Sequence, residues 1–488
     1  MLTYRNGLVV IHRKNKNMKT TISSQDIKKD NSYNEKLILL PQNDTGNARR
    51  FLLYCSDFVK FNTSLQCWML WNGKIWDSEG AYDEIMVLAQ AVMEKYYTVI
   101  KETKTIEENA RKVMLNHAKT SNNHQNLTNM LSLVKHMNYV KEMKSAPWLL
   151  NTQSCVVDLR TKEKLPHHPK YGCCKICVCD YNPNAKSTRF KSFSKEIMSD
   201  NEEVYDYMQT AAGYWVTGLM REEKLWILRG NGSNGKSKWL EALAYVLGNY
   251  ACLFPTNALT KSNSDSSRPT PELVPLINTR FAHTSELESD NVINDGCIKQ
   301  YTGNSHLLVR KMRQEYSKVE VSFKIVIDTN YAPNFKRFDF AIKRRLVIVP
   351  FTRQFLGDDR DNELVPKLQA DCEYILKYLV DGAYKYYKHG LHEPEIIRAE
   401  TERYCTDADS VKSFLDNVTV HEKGCMVKSS ALHRAYVEYC EASSYDPLDN
   451  KGFSQVLIQK GFEKKLKNSG AYFKNIKLVE EPTTPTTF

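Results

Sequence analysis

Nowhere in the 488 residues does an apolar run approach the roughly 20 residues a helix needs to cross a bilayer. The longest, such as "LVIVPF" after Arg345, are the size of a strand, so no membrane partner is expected. The opening lacks the charged-then-apolar pattern of an export signal, and a second methionine, Met18, leaves the translation start open. Thirteen cysteines are too sparse for a disulfide scaffold in a chain this long. Reduced thiols and an intracellular location are the expectation. Zinc usually takes two spaced cysteine pairs, and "CCKICVC", from Cys173 to Cys179, has no second C-x-x-C partner; the neighbouring His167 and His168 complete a site only if the fold brings them round. The better reading is a buried strand, with Cys173, Cys177 and Cys179 on one face and Cys174 on the other beside Ile176 and Val178. No internal repeat is present.

What is there is length and positive charge. The length implies about two to four domains. Sixty-eight Lys and Arg against 57 Asp and Glu give a formal charge of +11, which favours an anionic partner, nucleic acid first. Residues 1–35 are polar and basic and are expected to lack a core. A mixed α/β domain follows over 36–189, with a hairpin at Asn72-Gly73, a helical tract from Tyr82 to about Lys144, and short strands in "PWLLNTQSCVVDLRTKEKLPHHP". Over 190–392, helices lead to "KLWILRG" and three more strand-like segments, "TRFAHTSELE", "SFKIVIDTN" and "RRLVIVPF", so a largely parallel sheet covered by helices is expected. Residues 393–480 turn helical again, and the tail 481–488 is low in complexity.

The chemistry starts at "GNGSNGKSK". From Gly230 through Asn231, Gly232, Ser233, Asn234 and Gly235 to Lys236 and Ser237 the spacing is G-x-x-x-x-G-K-S, with Lys238 following. Such a loop cradles phosphates with backbone N–H groups, while the lysine and hydroxyl meet phosphate and Mg²⁺. An apolar strand precedes it, and Trp239, Leu240, Leu243, Val246 and Leu247 follow at helical spacing, so a helix N-terminus faces the anion. ATP and Mg²⁺ are the expected cofactors. Glu286 and Glu288, where the "RFAHTSELE" strand ends, are candidates for ordering Mg²⁺ and activating water, or simply surface acids. Asn330, at the tip of "FKIVIDTN", either orients water against a γ-phosphate or serves as a turn residue. Arg344 and Arg345 are candidates for an arginine finger, or a solvated pair capping a helix. Lys299, Arg310, Lys311, Arg313 and Lys318 lie on hairpin-like sequence and either contact a phosphate backbone or guard an exposed edge.

Read in order, "PWLLNTQSCVVDLRT", "GNGSNGKS", "RFAHTSELES", "IKQYTG", "VRKM", "FKIVIDTNYAP" and "AIKRRLVIVPF" resemble the successive motifs of the superfamily 3 helicases. The resemblance is to the phage, plasmid and large-DNA-virus branch that includes the poxvirus-type helicase-primases, and it runs from about Asn47 to the end. It implies an AAA+-like hexameric ring with ATP between subunits, acting on single-stranded and forked DNA, typically 3′ to 5′, in a bacterial cytoplasm or a viral replication compartment. Lys236 and Ser237 then take phosphate and Mg²⁺, Glu286 and Glu288 the Walker B position, and Asn330 the sensor. One of Arg344 and Arg345, with Arg345 preferred, reaches the next subunit's site, and Arg310 to Arg313 lie near a DNA-binding hairpin. Members with primase activity carry a polymerase-type domain upstream; fewer than about fifty residues precede the shared region here, so primase is not expected in this chain, although a separate primase or loading protein is a possible partner. Which glutamate is catalytic stays open.

The last domain fits a winged helix. Leu432, Ala435, Tyr436 and Tyr439 make one amphipathic helix and Phe453, Val456 and Leu457 another, followed by a hairpin carrying Lys464, Lys465, Lys467 and Lys474. The plainer alternative is a small helical domain that only packs against its neighbours. The expected architecture is therefore multi-domain α/β: an AAA+-like P-loop core between an N-terminal mixed domain and a C-terminal winged-helix-like domain. The expected function is an ATP-dependent DNA helicase for a virus, phage or mobile element, with an origin-binding initiator ATPase as its rival.

Overall fold

Ile85, Leu88, Ala89, Val92, Met93 and Tyr96 recur every three or four residues, which lines them along one helix face, and all six are buried. In the computed structural model, which describes residues 2–5, 8–11, 31–260, 271–284, 292–309, 317–330, 333–335, 339–407, 409–443 and 447–479, they lie on the helix Ala81–Glu102. The expected helical tract is three helices, this one with Glu108–Ser121 and His124–Met137. They share a core with the helix Asp44–Cys55 and a sheet in which Val59–Asn62 pairs with Cys67–Trp71, and the latter with Trp76–Asp77 across the Asn72-Gly73 turn. Arg50 is fully buried in this core. Its guanidinium survives there because it donates to the carbonyls of Leu37 (2.9 Å) and Pro41 (2.8 Å), to Asn47 (3.0 Å) and to the Tyr96 hydroxyl (3.2 Å). Within the first 35 residues, Leu2–Arg5 pairs with Leu8–Ile11 and a helix opens at Asn31.

The second half is multi-domain α/β built on a parallel sheet. We number its strands β1 (Leu225–Arg229), β2 (Ala251–Leu253), β3 (Phe281–His283), β4 (Lys324–Thr329) and β5 (Leu346–Pro350). All pairings are parallel and the spatial order is β2-β3-β4-β1-β5. Four strands match the apolar segments read from sequence; β2 is additional, three residues too short to announce itself. Successive side chains of a strand point to opposite faces, and here the two sets feed two cores. Trp226, Leu228, Val326, Val347 and Val349 enter one, while Leu225, Ile227, Ile325, Ile327 and Ile348 enter the other.

The first of those cores is rich in tryptophan. Trp215 stacks on Phe281 (5.6 Å, 15°) and meets Trp226 and Trp239 edge-on. Trp215 ends α2 (Glu202–Trp215), which follows α1 (Phe190–Ile197); Trp239 lies on α3 (Lys236–Leu247). Against α2 packs α4 (Cys372–His389), at a distance only glycine permits. A Cβ on Gly213 would lie 2.0 Å from the Ala383 nitrogen, and one on Gly382 2.0 Å from the Gln209 carbonyl. The antiparallel strands Leu149–Asn151, Val156–Asp158 and Glu163–Leu165 complete this half, with Leu150, Val157 and Cys177 packing into the tryptophan core.

The cysteine run departs from expectation. Cys173 to Cys179 pairs its backbone with three different segments, through Trp76, through Asn151 and Gln153, and through Val246, and is not a strand. Alternation therefore fails: Cys173 and Cys177 are buried with Ile176, while Val178 is exposed. The C-terminal helices Ser410–Val418, Ser429–Ala442 and Asn450–Gln459 enclose a core of Phe414, Tyr436 and Phe453. The sheet beside them runs Met426–Lys428, Gly470–Lys474, Lys464–Lys467.

One carboxylate ties distant parts of the second half together. Asp371, 3% exposed, accepts from the Ser187 hydroxyl (2.8 Å), the Thr188 hydroxyl (2.7 Å) and the amides of Thr188 (2.8 Å), Arg189 (2.8 Å) and Phe190 (2.6 Å). It thus caps α1 from nearly two hundred residues away. Burial opposes its ionisation, but the hydrogen bonds outweigh burial and hold its pKa below the usual aspartate range. Asp371→Ala should lose about 3 kcal/mol in urea unfolding at neutral pH, because several buried donors are left unmet. A depressed native pKa stabilises above the unfolded value and fades as pH falls through the native one; the difference between wild type and variant should therefore be full above about pH 4 and shrink below it.

Candidate functional site

The loop Gly230–Gly235 leaves the carboxyl end of β1, between β4 and β5, where connections run off in opposite directions across the sheet. In open parallel sheets that crevice is where ligands bind. Gly235 has φ +81 and caps α3, and a Cβ there would sit 2.6 Å from Ile197, so neither the turn nor the packing admits another residue.

Lys236 is 2% exposed. Its ammonium donates to Asn234 Oδ1 (2.8 Å), the Gly230 carbonyl (3.2 Å) and Asn330 Oδ1 (3.2 Å), and lies 3.7 Å from Asp328 Oδ1. The structure thus brings Lys236 and Asn330 together although 94 residues separate them. It also adds a residue the sequence reading passed over: Asp328, 3% exposed, accepts a hydrogen bond from the Ser237 hydroxyl. The signal was its place two residues before Asn330 on the strand adjacent to β1. Gln354 donates to the carbonyls of Asn231 (3.1 Å) and Gly232 (3.3 Å), and Arg360 to the Ser233 hydroxyl (3.1 Å). Lys238 lines the cleft beside the loop and pairs with Glu241 at 2.8 Å. A cleft of about 280 Å³ opens beside the loop, lined among others by Arg189, Phe193, Ser233, Phe355 and Asp361. Glu286, Glu288, Arg310, Lys311 and Arg313 lie outside the described residues.

The two arginines separate clearly. Arg345, 7% exposed, donates to the Thr302 hydroxyl (3.0 Å), the Ala341 carbonyl (2.7 Å) and Glu223 (3.1 Å). Arg344 is about half exposed, and among the described residues its side chain pairs with Glu223, at 2.5 Å. Lys299 is engaged by Asp295 (3.3 Å) and Asp339 (2.7 Å). In the C-terminal unit, Lys465 and Lys467 are exposed, and Lys464 hydrogen-bonds Ser454 (3.1 Å) at the edge of a groove of about 630 Å³ that Lys428, Lys451, Gln455 and Ile458 also line.

Two family descriptions match the chain. "D5 N terminal like" covers residues 48–199, and "Poxvirus D5 protein-like" covers residues 406–481. The chain thus carries a D5_N-type segment and a Pox_D5-type segment on either side of the parallel sheet. The chain is similar to "Putative helicase L207/L206" of Acanthamoeba polyphaga mimivirus, 28% identical over 245 residues, covering 47% of the chain and 25% of that protein. It is also similar to "Putative helicase 022R" of Frog virus 3, 27% identical over 289 residues, covering 54% of the chain and 29% of that protein. A third relative is "Putative primase C962R" of African swine fever virus (strain Badajoz 1971 Vero-adapted), 21% identical over 340 residues, covering 64% and 35%. The chain therefore spans between about a quarter and a third of these relatives' own length. Among solved structures, the apo C-terminal region of NrS-1 aligns over 88% of the chain and 99% of that structure, at 12% identity and a TM-score of 0.44.

The cysteine run in this chain is held by packing. His167 is hydrogen-bonded to the Thr152 carbonyl (3.0 Å) and His168 accepts from the Lys170 amide (3.1 Å); among the described residues no cluster of His, Cys, Asp and Glu is arranged to hold a metal. Burial pushes the Cys173 thiol up to about 11 and the Cys174 thiol up to about 12, and raises that of Cys177. Cys372, the first residue of α4, goes the other way: a hydrogen bond from Cys179 lowers its pKa despite partial burial. Iodoacetamide at about pH 8 should therefore modify Cys372 well before Cys173, Cys174 or Cys177, as mass spectrometry of a time course would show; equal rates would contradict the described environments.

Proposed function

We propose that this chain is an ATP-dependent DNA helicase of superfamily 3 type that serves the replication of a virus or related mobile element. The observation that carries the proposal is the buried Lys236 ammonium at the mouth of a glycine-rich loop, flanked by the Ser237 hydroxyl, Asp328 and Asn330. That is the chemistry of a P-loop: the ammonium takes the β- and γ-phosphates, the hydroxyl takes Mg²⁺, and α3 turns its N-terminal amides toward the anion. Asp328 orders the Mg²⁺ shell through Ser237, and Asn330 positions water against the γ-phosphate. Glu286 and Glu288 supply the Walker B acids. The cleft between Phe193 and Phe355 takes the base and ribose of ATP. The names of the relatives, helicases and a primase of large DNA viruses, support the same reading.

Assembly follows from the arginines. A finger must leave its own subunit and stabilise charge in the next. Arg345 spends its donors internally, so we assign the finger to the half-exposed Arg344, replacing the sequence-based preference for Arg345. ATP then binds between subunits of an AAA+-like hexameric ring, because a finger on one subunit can complete only a neighbour's site. DNA passes the hairpin that carries Lys318, and the C-terminal unit serves as a winged helix on duplex DNA. The groove lined by Lys428, Lys451 and Lys464 also favours a second reading, an origin-binding initiator that hydrolyses ATP without unwinding long duplex.

The test is strand displacement on forked DNA beside DNA-stimulated ATPase. Lys236→Ala should abolish both, with at least about a 100-fold loss of turnover, while circular dichroism still reports a folded chain at the assay temperature. Arg344→Ala should keep nucleotide binding and lose on the order of 10³ in hydrolysis; mixing it with Lys236→Ala subunits should restore part of the activity. Hydrolysis without displacement selects the initiator, and normal hydrolysis in Lys236→Ala would falsify the site.

A further inference from the structure

The amino ends of the parallel strands carry a second concentration of charge, one strand length of roughly 17 Å from the glycine loop. Arg280 immediately precedes β3 and Lys324 opens β4, and they are 3% and 2% exposed. Ionised groups so far from water are costly unless oxygens surround them. Arg280 donates to the carbonyls of Val216 (2.9 Å) and Ala146 (3.3 Å) and to the Ser145 hydroxyl (3.1 Å). Lys324 donates to the carbonyls of Thr217 and Ser322. Among the described residues, neither pairs with a carboxylate.

Beside them opens a cavity of about 300 Å³ lined by Lys144, Lys175, Tyr250, Arg280, Glu320 and Ser322, among others. Lys144 and Glu320 pair with each other at its edge. Lys175 differs. It is only partly exposed, burial lowers its pKa, and among the described residues its ammonium has no hydrogen-bond partner. An ammonium held this way costs stability and gives the fold nothing in return. Three cations thus face one carboxylate in a space large enough for a phosphate and its sugar. The cavity also lies at the foot of the hairpin His306–Val309 and Ser317–Glu320, whose connecting sequence contains Arg310, Lys311 and Arg313.

We propose that this cavity binds a phosphate group of a nucleic-acid strand, with Lys175 as the contacting cation. The proposal rests on the DNA-binding part of the function given above and is independent of its ATPase. A free nucleotide offers the same phosphate chemistry, so the test must separate the two sources.

The experiment compares the full chain with Lys175→Met and Lys175→Arg. Anisotropy of a fluorescein-labelled oligothymidylate is followed across a salt series, alongside calorimetry with pyrophosphate and binding of a fluorescent ATP analogue. Lys175→Met should weaken oligonucleotide binding about five- to ten-fold at about 0.1 M salt and lower the salt slope by about 1. Lys175→Arg should restore most of both. Binding of the ATP analogue at the glycine loop should stay unchanged, and the melting temperature of Lys175→Met should match or exceed wild type. Loss of one pyrophosphate equivalent with an unchanged oligonucleotide slope would keep the site and assign it to a free nucleotide. Unchanged binding of both probes in Lys175→Met, while wild type binds the oligonucleotide, would overturn the proposal and leave the helicase reading standing. A lower melting temperature with an unchanged salt slope would overturn it too, making Lys175 a packing residue. Wild type that binds neither probe would defeat both.

Discussion

A positive charge that is almost wholly out of water dictates much of the second half of this chain. The Lys236 ammonium is tolerable only where oxygens converge on it. Two come from its own loop, the Gly230 carbonyl and Asn234, and two from the end of β4, Asp328 and Asn330. For those sources to meet, β4 must lie next to β1 in the register that sets Leu228 beside Asp328. Loop conformation, strand order and strand register are therefore facets of a single electrostatic requirement. Under the proposed function, an arriving phosphate would find the cation already in place and would compete with Asp328 and Asn330 for it.

The same sheet separates two charge environments. At its carboxyl edge, acid and amide groups surround one lysine; at its amino edge, Arg280, Lys324 and Lys175 gather with little acid nearby. Asp409 extends the architecture outward. It binds Lys343 (3.2 Å) beside β5 and Lys460 (2.8 Å) beyond the helix Asn450–Gln459, and so links the sheet to the C-terminal unit. The outer unit therefore does not hang on a bare linker.

Much of this was legible in the residues. Continuous apolar runs gave away β1, β3, β4 and β5, because a strand buried on both faces has no polar alternation to blur it. The three residues of β2 carry no such signal. The glycine loop was readable since its spacing is chemical, and Asn330 since it ends a strand. Asp328 was missed because the acid was sought on β3, and only the pairing of β4 with β1 brings it to Ser237. Arg344 and Arg345 are neighbours in sequence, and no local rule distinguishes them; tertiary contacts to Thr302 and Ala341 do. The cysteine run misled for a related reason, since its backbone partners come from three separate places.

The glycine contact between α2 and α4 has a mechanical consequence. With backbone against backbone at Gly213 and Gly382, there is no cushion of side chains at that crossing point to shear. Asp371, one residue ahead of α4, grips the start of α1, whose Phe193 walls the cleft beside the glycine loop. Any displacement at that wall is handed to α4 without slip, much as a key turns the whole of a bolt and not just its tip.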